Sequence, residues 1–384
     1  MDFSLNAETW TYSSSTSIHF GQGCRSELGP LISGKNVLVI SSERGKAQFY
    51  EDSVLGRLEA QLTWFTLVQE NPDIRDIEAA ASVLKGSDFD AVIAFGGGSA
   101  IDFAKATTAM LAVGGSNANL DSLIEDAGEL SKKQILPIYA VPTTAGTGSE
   151  VTPFATIWDH ARGQKMSLLS DSIRPTLALV DPELTHSLPA RSTFSSGLDA
   201  LNQALESVWN KNRSPVTLAL AARSITLALK ALPALHQNLS DRKARNQMAE
   251  ASLLAGLCIA QTKTSVCHAM SYPLTAKYGI PHGFAVAFTM SAVLESCVEE
   301  MPELFEQLIS LAGLSSIEDL VDQINRITSD LKMLNEVLIC VDDPSALFGL
   351  SNEMLSSERA NNFVLDLSSQ FIERVLSKSL GATN

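Results

Sequence analysis

The chain has 384 residues, more than one hydrophobic core of ordinary size accommodates, so we expect two domains. A composition of 45% hydrophobic and 18% charged residues is typical of a globular protein and excludes general disorder. The formal net charge of −15, without a long Lys/Arg cluster, argues against nucleic-acid binding and means that an anionic substrate would need a few well-placed cations.

Cysteine usage and the N-terminal sequence bear on the cellular compartment. The N-terminal sequence MDFSLNAETW lacks the basic start and apolar run of a signal peptide, and no apolar run reaches the ~20 residues that span a bilayer. We therefore expect a cytoplasmic protein without a membrane segment. The five cysteines have no C-x-x-C spacing and are expected to be reduced thiols: Cys24, Cys258, Cys267, Cys297 and Cys340.

The first 185 residues alternate short apolar runs with helical stretches. Strands that are apolar on both faces belong to a parallel sheet covered by helices, and the segments between these runs, such as DIRDIEAAASVLKGS, have helical spacing. The pattern predicts a βαβ domain over residues 1–185, with GGSNANLDS (114–122) as an exposed loop. The five runs of strand length are NVLVIS (36–41), TWFTLV (63–68), AVIAFGGG (91–98), ILPIYAVP (135–142) and TLALVDP (176–182).

The remaining residues, 186–384, have a different pattern. Long amphipathic runs such as VTLALAARSITLALKALPALHQNL follow one another, and strand signals are nearly absent. The sequence therefore predicts a second, all-helical domain, with the boundary near residues 182–189.

A run of glycines follows the third apolar segment. Gly96, Gly97 and Gly98 stand between a predicted strand and a predicted helix, where they would let a phosphate approach the backbone, and Ser99 could cap the helix. Glycine triplets also occur in ordinary turns. This triplet is not the usual G-x-G-x-x-G pattern, but it lies at the carboxyl end of a parallel strand, where α/β sheets bind ligands.

The next apolar run ends in a stretch rich in hydroxyl groups. Thr143, Thr144, Thr147 and Ser149 lie among small residues in VPTTAGTGSEVTPFA. Such a stretch can be a plain polar loop. Two glycine- and hydroxyl-rich loops after neighbouring strands favour a dinucleotide site more than either loop alone.

Candidate metal ligands lie in the helical half. Asp199 and Gln203 are four residues apart in GLDALNQALES and would share one helix face, although such pairs are often solvated. His268 and His282 occur in CHAMSYPLTAKYGIPHG, where Pro273 should end one helix and Pro281 should begin another, so the two imidazoles could face each other. This donor set suits a divalent metal ion, and buried core histidines are the alternative.

Together, GGGSAIDFAKA, PTTAGTGSEVTPFA, ALVDPELTHSLP, GLDALNQALES and HAMSYPLTAKYGIPHG resemble the iron-containing, or group III, alcohol dehydrogenases, in order from about residue 15 to residue 290. The resemblance implies an α/β, Rossmann-like N-terminal domain (1–185) and an all-α C-terminal domain (186–384) for metal and substrate. It also implies a cleft between them for the metal and the nicotinamide cofactor. Dehydroquinate synthase and glycerol dehydrogenase share this fold.

Carried over by position, the resemblance places the metal ligands at Asp199, Gln203, His268 and His282. The family usually has histidine at position 203, and an amide oxygen is a weaker donor, so we expect the metal to be retained with lower affinity. Tyr272 stands where many members have another histidine, and we count it with Asp199, His268 and His282 as catalytic. A phenol, with an ordinary pKa near 10, is a poor proton shuttle at neutral pH.

For the cofactor, the resemblance implies contacts from the two loops (Gly96–Ser99, Thr143–Ser149) and from Asp102. Many members have an Asp after the first strand that contacts the adenosine ribose, whereas VLVISSERGK places Ser42 there, with Arg44 and Lys46 close behind. This change should admit the 2′-phosphate of NADPH, so we expect either NADH or NADPH to serve.

For the substrate, GLDALNQALES, WDHARGQKMSL and KTSVCHAMSYPL resemble the phosphonoacetaldehyde reductase branch most. An anionic aldehyde would suit Lys263 and Thr264, placed one turn before His268 on its helix, together with Arg162 and Lys165. The alternative is that Lys263 and Lys165 are surface lysines, or that Lys165 serves the cofactor.

Other functions remain open at this stage. The chain could reduce another small carbonyl compound, such as phosphonopyruvate, lactaldehyde or a simple aldehyde, or act as a lyase like dehydroquinate synthase. A scaffold without activity is a third alternative. The mixed N/O donor set admits Fe²⁺, which we expect, but also Zn²⁺, Mn²⁺ or Co²⁺. The resemblance further implies a homodimer, and it assigns no roles after about residue 300.

Overall fold

The computed structural model describes residues 9–114 and 119–381, so part of the loop expected at 114–122 lies outside the described residues. The described residues form two compact units, one of residues 14–187 and the other of residues 188–381 together with residues 9–13. Ser13 is joined to the helical unit because its N–H donates to Gln261 Oε1 (3.3 Å) and its carbonyl accepts from Gln261 Nε2 (2.7 Å).

Residues 14–187 are built on a six-stranded sheet in which every pair of neighbouring strands is parallel. All five apolar runs contribute a strand to it, which confirms the α/β character of this unit. An antiparallel hairpin, β6–β7, and the short edge strand β1 were not predicted. The strands are β1 (Ser17–Phe20), β2 (Asn36–Ile40), β3 (Gln61–Phe65), β4 (Ala91–Gly96), β5 (Ile138–Pro142), β6 (Phe154–Asp159), β7 (Gln164–Leu169) and β8 (Leu177–Val180).

The strand order, β1-β8-β5-β4-β2-β3, changes direction between β2 and β4. The chain leaves β2 toward β3 on one side and returns as β4 on the other, so their carboxyl ends open a crevice of the kind in which α/β sheets bind ligands. Apolar side chains are buried on both faces of the sheet, as a parallel sheet requires. The helices of this unit are α1 (Leu28–Ile32), α2 (Glu43–Glu51), α3 (Ile74–Leu84), α4 (Gly98–Val113) and α5 (Leu120–Glu125).

The unit from Leu188 onward is helical, as predicted, and its first three helices pack on one another. Its helices are α6 (Ala190–Val208), α7 (Pro215–Gln237), α8 (Arg242–Thr262), α9 (Val266–Tyr278), α10 (His282–Ala287), α11 (Met290–Glu300), α12 (Pro302–Ala312), α13 (Ile317–Asp330), α14 (Met333–Leu338), α15 (Ser351–Ser356) and α16 (Ser369–Ser379).

Two details of α9 differ from the prediction. Pro273 lies inside the helix and does not end it, because a proline removes one backbone donor without forcing the chain to stop. Thr264 precedes the helix, which begins at Val266, so it is not on the helix that carries His268. Pro281 directly precedes α10, as expected.

Among the described residues, α7 is long and apolar enough to cross a membrane on length and composition alone, contrary to the expectation that no segment would be. A core helix passes the same test, and 61% of the apolar window of α7 is buried within the fold. The helix is therefore weak evidence for a membrane segment.

Candidate functional site

Helix α6 brings two oxygen donors to the interior of the helical unit. Asp199 and Gln203 lie one helical turn apart and are each 3% exposed, so they are not a solvated pair. Donor atoms of Asp199, His268 and His282 all lie within 4.8 Å of one another. The two imidazole rings are adjacent but lie edge to face, with centroids 5.4 Å apart and ring planes at 68°. The structure thus brings together the carboxylate and both histidines expected from the sequence.

The position of His282 depends on the glycine that follows it. A Cβ at Gly283 would lie 1.8 Å from the backbone oxygen of Ser195 on α6, a distance that no side chain tolerates. Because residue 283 has no side chain, the start of α10 can pack directly on α6. His282, the first residue of α10, is thereby held near the donors of α6.

The spacing of these atoms fits ligands of a single ion. Asp199 Oδ1 lies 3.3 Å from His268 Nε2, without forming a hydrogen bond to it. Two ligands of one tetrahedral ion, each bonded at ~2.1 Å, are roughly 3.4 Å apart. The buried Oε1 of Gln203 has no hydrogen-bond partner within the described part of the chain. Such an orphaned oxygen costs about 1–3 kcal/mol, and an ion would supply its partner.

Glu206, on the same face of α6, contacts His268 on the side of the ring away from Asp199. Its carboxylate accepts hydrogen bonds from the backbone N–H groups of Ser265 (2.8 Å) and His268 (3.0 Å), and lies 2.7 Å from His268 Nδ1. Sequence reasoning missed this residue. The i, i+4, i+7 spacing of Asp199, Gln203 and Glu206 was the available signal, because it places all three on one helix face.

The charges of this cluster also fit a divalent cation. Asp199 and Glu206 are buried, and among the described residues their ion pairs are with His268, not with a Lys or Arg. Burial alone would lower the pKa of His268, but the carboxylates of Glu206 and Asp199 outweigh it and raise this pKa to about 10. If His268 binds metal as neutral imidazole, two buried negative charges remain, and a divalent ion balances both.

Three other predicted residues of the helical unit lie near His268 in sequence. Tyr272 is half-buried on α9, one turn after His268, and Thr264 is buried in the segment before that helix. Lys263 is half-buried and has φ 60° and ψ −178°, a backbone conformation that costs a residue other than glycine about 1–3 kcal/mol. Its carbonyl accepts from Asn210 Nδ2 (3.3 Å).

In the sheet unit, the glycine run and the hydroxyl-rich loop lie against each other. Thr143 N donates to the Gly96 carbonyl (2.9 Å), joining the ends of β4 and β5. A Cβ at Gly97 would lie 3.1 Å from the Thr144 side chain, and one at Gly98 would lie 2.6 Å from that of Thr147. Because these glycines have no side chain, the threonines of the neighbouring loop can pack directly against their backbone.

Two polar residues near these loops serve as caps or supports. Ser99 lies within the first turn of α4, whose N-cap is Gly97, so Ser99 is not the cap that the sequence indicated. Ser42 follows β2 and caps α2, its Oγ accepting from Gly45 N (3.1 Å). Asp102 accepts hydrogen bonds from Ser149 Oγ and from Thr156 N (2.9 Å), so it supports the hydroxyl-rich loop from inside.

Lys105 is a second internal support that the sequence did not reveal. Its fully buried ammonium group donates to the carbonyl and hydroxyl oxygens of Ser149 and Thr152 and to the Phe154 carbonyl, at 2.5–3.0 Å. Burial lowers the pKa of Lys105 to about 8, although the charges of Asp102 and Glu150 oppose this shift. The sequence FAKA gives no sign of this role, because a lysine in a helix is usually exposed. The contacts that define the role are with residues some 45 positions away in the chain.

The two cations expected after the hydroxyl-rich loop have different surroundings. Arg162 is 56% exposed and pairs with Asp121 (3.3 Å) and Asp159 (3.1 Å), so its charge is already balanced at the surface. Lys165 lies on β7 opposite Trp158, with Nζ 5.8 Å from the centre of the indole ring.

Comparison with known proteins identifies the family. The model described as iron-containing alcohol dehydrogenase matches residues 15–182, and that described as the C-terminal part of the Fe-containing alcohol dehydrogenase family matches residues 193–338. The long-chain-alcohol dehydrogenase 1 of Geobacillus thermodenitrificans is 33% identical over 324 residues, which are 82% of this chain and 80% of that protein.

One curated relative is named for a small aldehyde. A phosphonoacetaldehyde reductase of Streptomyces viridochromogenes is 36% identical over 231 residues, 59% of this chain and 58% of that protein. For three of the curated relatives that it matches, the chain spans only 58–65% of their length.

Among solved structures, sulfoacetaldehyde reductase of Bifidobacterium kashiwanohense, in complex with NAD⁺, superposes with a TM-score of 0.86. It is 26% identical, and the match covers 98% of this chain and all of that one. The architecture, the two family models and the similarity over 82% of the chain agree, and the chain belongs to the iron-containing alcohol dehydrogenase family.

Proposed function

We propose that this protein is a metal-dependent reductase that uses NADH or NADPH to reduce a small anionic aldehyde, with phosphonoacetaldehyde as the preferred substrate. The observation that carries the proposal is the cluster of buried Asp199 and His268 with half-buried His282, to which the unpartnered Oε1 of Gln203 adds a fourth donor. Ligands of this mixed N/O type suit Fe²⁺, and they also admit Zn²⁺ or Mn²⁺.

In this proposal, the four donors would hold the ion. The metal supplies a Lewis acid for the carbonyl oxygen, and the cofactor supplies the hydride. Burial of Asp199 and His268 keeps bulk water from competing with the substrate for the site. We assign Tyr272 to a hydrogen bond with the substrate oxygen and not to proton transfer, because a phenol is a poor proton shuttle at neutral pH.

The anionic tail is supported by two similarities and by Lys263. The names phosphonoacetaldehyde and sulfoacetaldehyde both describe acetaldehyde with an acidic group attached, and the two reductases are similar to this chain over different lengths. Lys263 retains a backbone conformation that glycine would adopt at lower cost, which supports a role for its side chain. We propose Lys263 and Thr264 for the tail and keep Lys165 as a candidate for tail or cofactor. Arg162, already paired twice, receives no role.

The tail assignment is tested with Lys263→Met, which keeps the aliphatic stem and removes the charge. We expect the KM for phosphonoacetaldehyde to rise about tenfold or more, as for the loss of one charge-assisted hydrogen bond, and kcat/KM for propanal to stay the same. Lys277→Met is the control, since Lys277 lies on α9 and pairs with Glu353 at the surface. Equal losses on both aldehydes would contradict the tail assignment.

The cofactor assignment is tested by comparing kcat/KM for NADPH and NADH. Ser42 provides no carboxylate to repel a 2′-phosphate, and Arg44 is exposed in the first turn of α2. Ser42→Asp should shift the preference toward NADH, and its carboxylate can still cap α2, so the fold is preserved. A hundredfold preference of the parent protein for NADH would refute this part of the proposal.

The reaction class is tested by following consumption of the reduced cofactor. A reductase consumes one NADH or NADPH for each aldehyde reduced, whereas a lyase of the dehydroquinate synthase kind shows no net consumption. A panel of small aldehydes with and without an acidic group would separate phosphonoacetaldehyde from other carbonyl substrates.

A further inference from the structure

We propose that Glu206 is the positioning residue of the metal centre: it holds His268 in the tautomer that binds metal and fixes the start of α9 at the same time. This inference rests on the proposed metal site. Glu206 is fully buried and is not itself among the donor atoms that cluster around the ion position. It would therefore act on the metal through His268.

The hydrogen bonds of Glu206 decide which nitrogen of His268 is available. An ionised carboxylate only accepts hydrogen bonds, so the 2.7 Å approach of Oε2 to Nδ1 places the hydrogen on Nδ1. A neutral imidazole then has its lone pair on Nε2, which is the atom 3.3 Å from Asp199 Oδ1. Carboxylates that hold a ligating histidine in this way are a common feature of metal sites.

The same carboxylate also fixes the backbone around His268. Ser265, the N-cap of α9, makes no side-chain capping bond, and its Oγ has no partner among the described residues. Glu206 supplies the acceptor from a different helix, bonding Ser265 N through Oε2 and His268 N through Oε1. One side chain of α6 thus holds both the backbone and the ring of His268. The same helix carries Asp199 and Gln203.

A negative charge at this position also has an electrostatic effect. The carboxylate increases the electron-donating strength of the imidazole and supplies one of the two negative charges that balance a divalent ion. Because Gln203 is a neutral donor, Asp199 is the charged member among the proposed ligands, and the charge of Glu206 is the second near the ion. Loss of such a supporting carboxylate typically weakens metal affinity 10- to 100-fold.

The test is Glu206→Gln, which keeps the size of the side chain and removes the charge. Zn²⁺ and Co²⁺ affinities are measured by competition with a chelator, together with the absorption spectrum of the Co²⁺ protein. We expect both affinities to fall about 10- to 100-fold and the Co²⁺ spectrum to change. In EDTA, the urea midpoint should fall only modestly, because the oxygen of the glutamine amide can still accept one of the two backbone hydrogen bonds at the start of α9. Glu250→Gln is the control, since Glu250 pairs with Arg223 at the surface.

The inference is overturned if Glu206→Gln binds both metals within twofold of the parent, or if its Co²⁺ spectrum is unchanged. Should this variant fail to fold without metal, Glu206→Asp is measured instead, since it keeps the charge on a side chain one methylene shorter. Parent-like affinity and an unaltered spectrum in Glu206→Asp would likewise overturn the inference, and weaker binding with an altered spectrum would support it. Failure of the parent protein to bind either metal would refute the proposed function itself, so the two failures are distinguishable.

Discussion

Replacing Gln203 by Leu should make the metal-free protein more stable and should remove most of the extra stability that metal gives. The Oε1 of Gln203 is buried without a hydrogen-bond partner among the described residues, and such an atom costs about 1–3 kcal/mol. Leucine has a similar size and no polar atom. In the absence of metal, the free energy of unfolding of the helical unit should therefore rise by about 1–3 kcal/mol.

With metal present, the same substitution removes one of four ligands. Metal at a hundred times its dissociation constant stabilises the folded state by about 2.7 kcal/mol. If the loss of the amide oxygen weakens binding about 100-fold, the same metal concentration stabilises the variant by only ~0.4 kcal/mol. The metal-dependent increase in stability should thus nearly disappear, although the metal-free variant is more stable than the metal-free parent.

The assay is urea denaturation in EDTA and at a fixed concentration of free Zn²⁺. It is followed by far-ultraviolet circular dichroism, which the helical unit dominates. Gln323→Leu is the matched control, because Gln323 Nε2 donates to Asp319 (3.0 Å) on α13 and its loss should not stabilise the protein. A Gln203→Leu variant that is less stable than the parent in EDTA would refute the reasoning, since Oε1 would then have a partner other than an ion.

Three further predictions concern the sheet unit. Burial raises the pKa of Glu150 from 4.5 to about 7, so the carboxylate is disfavoured in the folded state. The free energy of unfolding should then fall by about 3 kcal/mol as the pH rises from 4.5 through 7. In urea titrations at several pH values, Glu150→Gln should abolish most of this fall. Parallel plots of unfolding free energy against pH for the two proteins would contradict the prediction. Lys105→Met leaves five oxygen acceptors without their common donor. It should lower the unfolding free energy of this unit by about 2–4 kcal/mol and weaken NADPH binding in calorimetry; an unchanged stability would show that the acceptors find other donors. Gly98→Ala places a Cβ 2.6 Å from the Thr147 side chain, which should displace the hydroxyl-rich loop and raise the NADPH dissociation constant severalfold. Parent-like binding would mean that this loop takes no part in binding the cofactor.

Much of the fold could be predicted from the sequence because buried parallel strands are continuous apolar runs. The strand β1 escaped prediction because SIHF is mostly exposed, and the β6–β7 hairpin escaped because QKMSLL carries polar residues on a partly exposed strand. The attachment of Ser13 to the helical unit depends on Gln261, 248 residues away, which no local pattern encodes.

The candidate site was predictable to a similar degree. Asp199 and His268 came from side-chain chemistry, helical spacing and the family resemblance. Glu206 and Lys105 were missed because each acts through contacts with distant backbone groups, and a charged residue in an amphipathic helix is usually exposed. Arg162 shows what proximity in sequence leaves out, since it lies close to the hydroxyl-rich loop in the chain but its two carboxylate partners are visible only in the structure.

In the proposed metal site, Gly283 would limit how precisely an ion can be held. Metal–ligand bonds tolerate errors of only about 0.2 Å, whereas a methyl group at position 283 would start 1.8 Å from the Ser195 oxygen and would have to retreat by more than that tolerance to reach an ordinary contact. His282 would retreat with it. In the proposed metal site, the selectivity for one metal over another would thus be governed partly by a residue that supplies no donor atom, and attempts to broaden its chemistry are best confined to side chains that leave this contact intact.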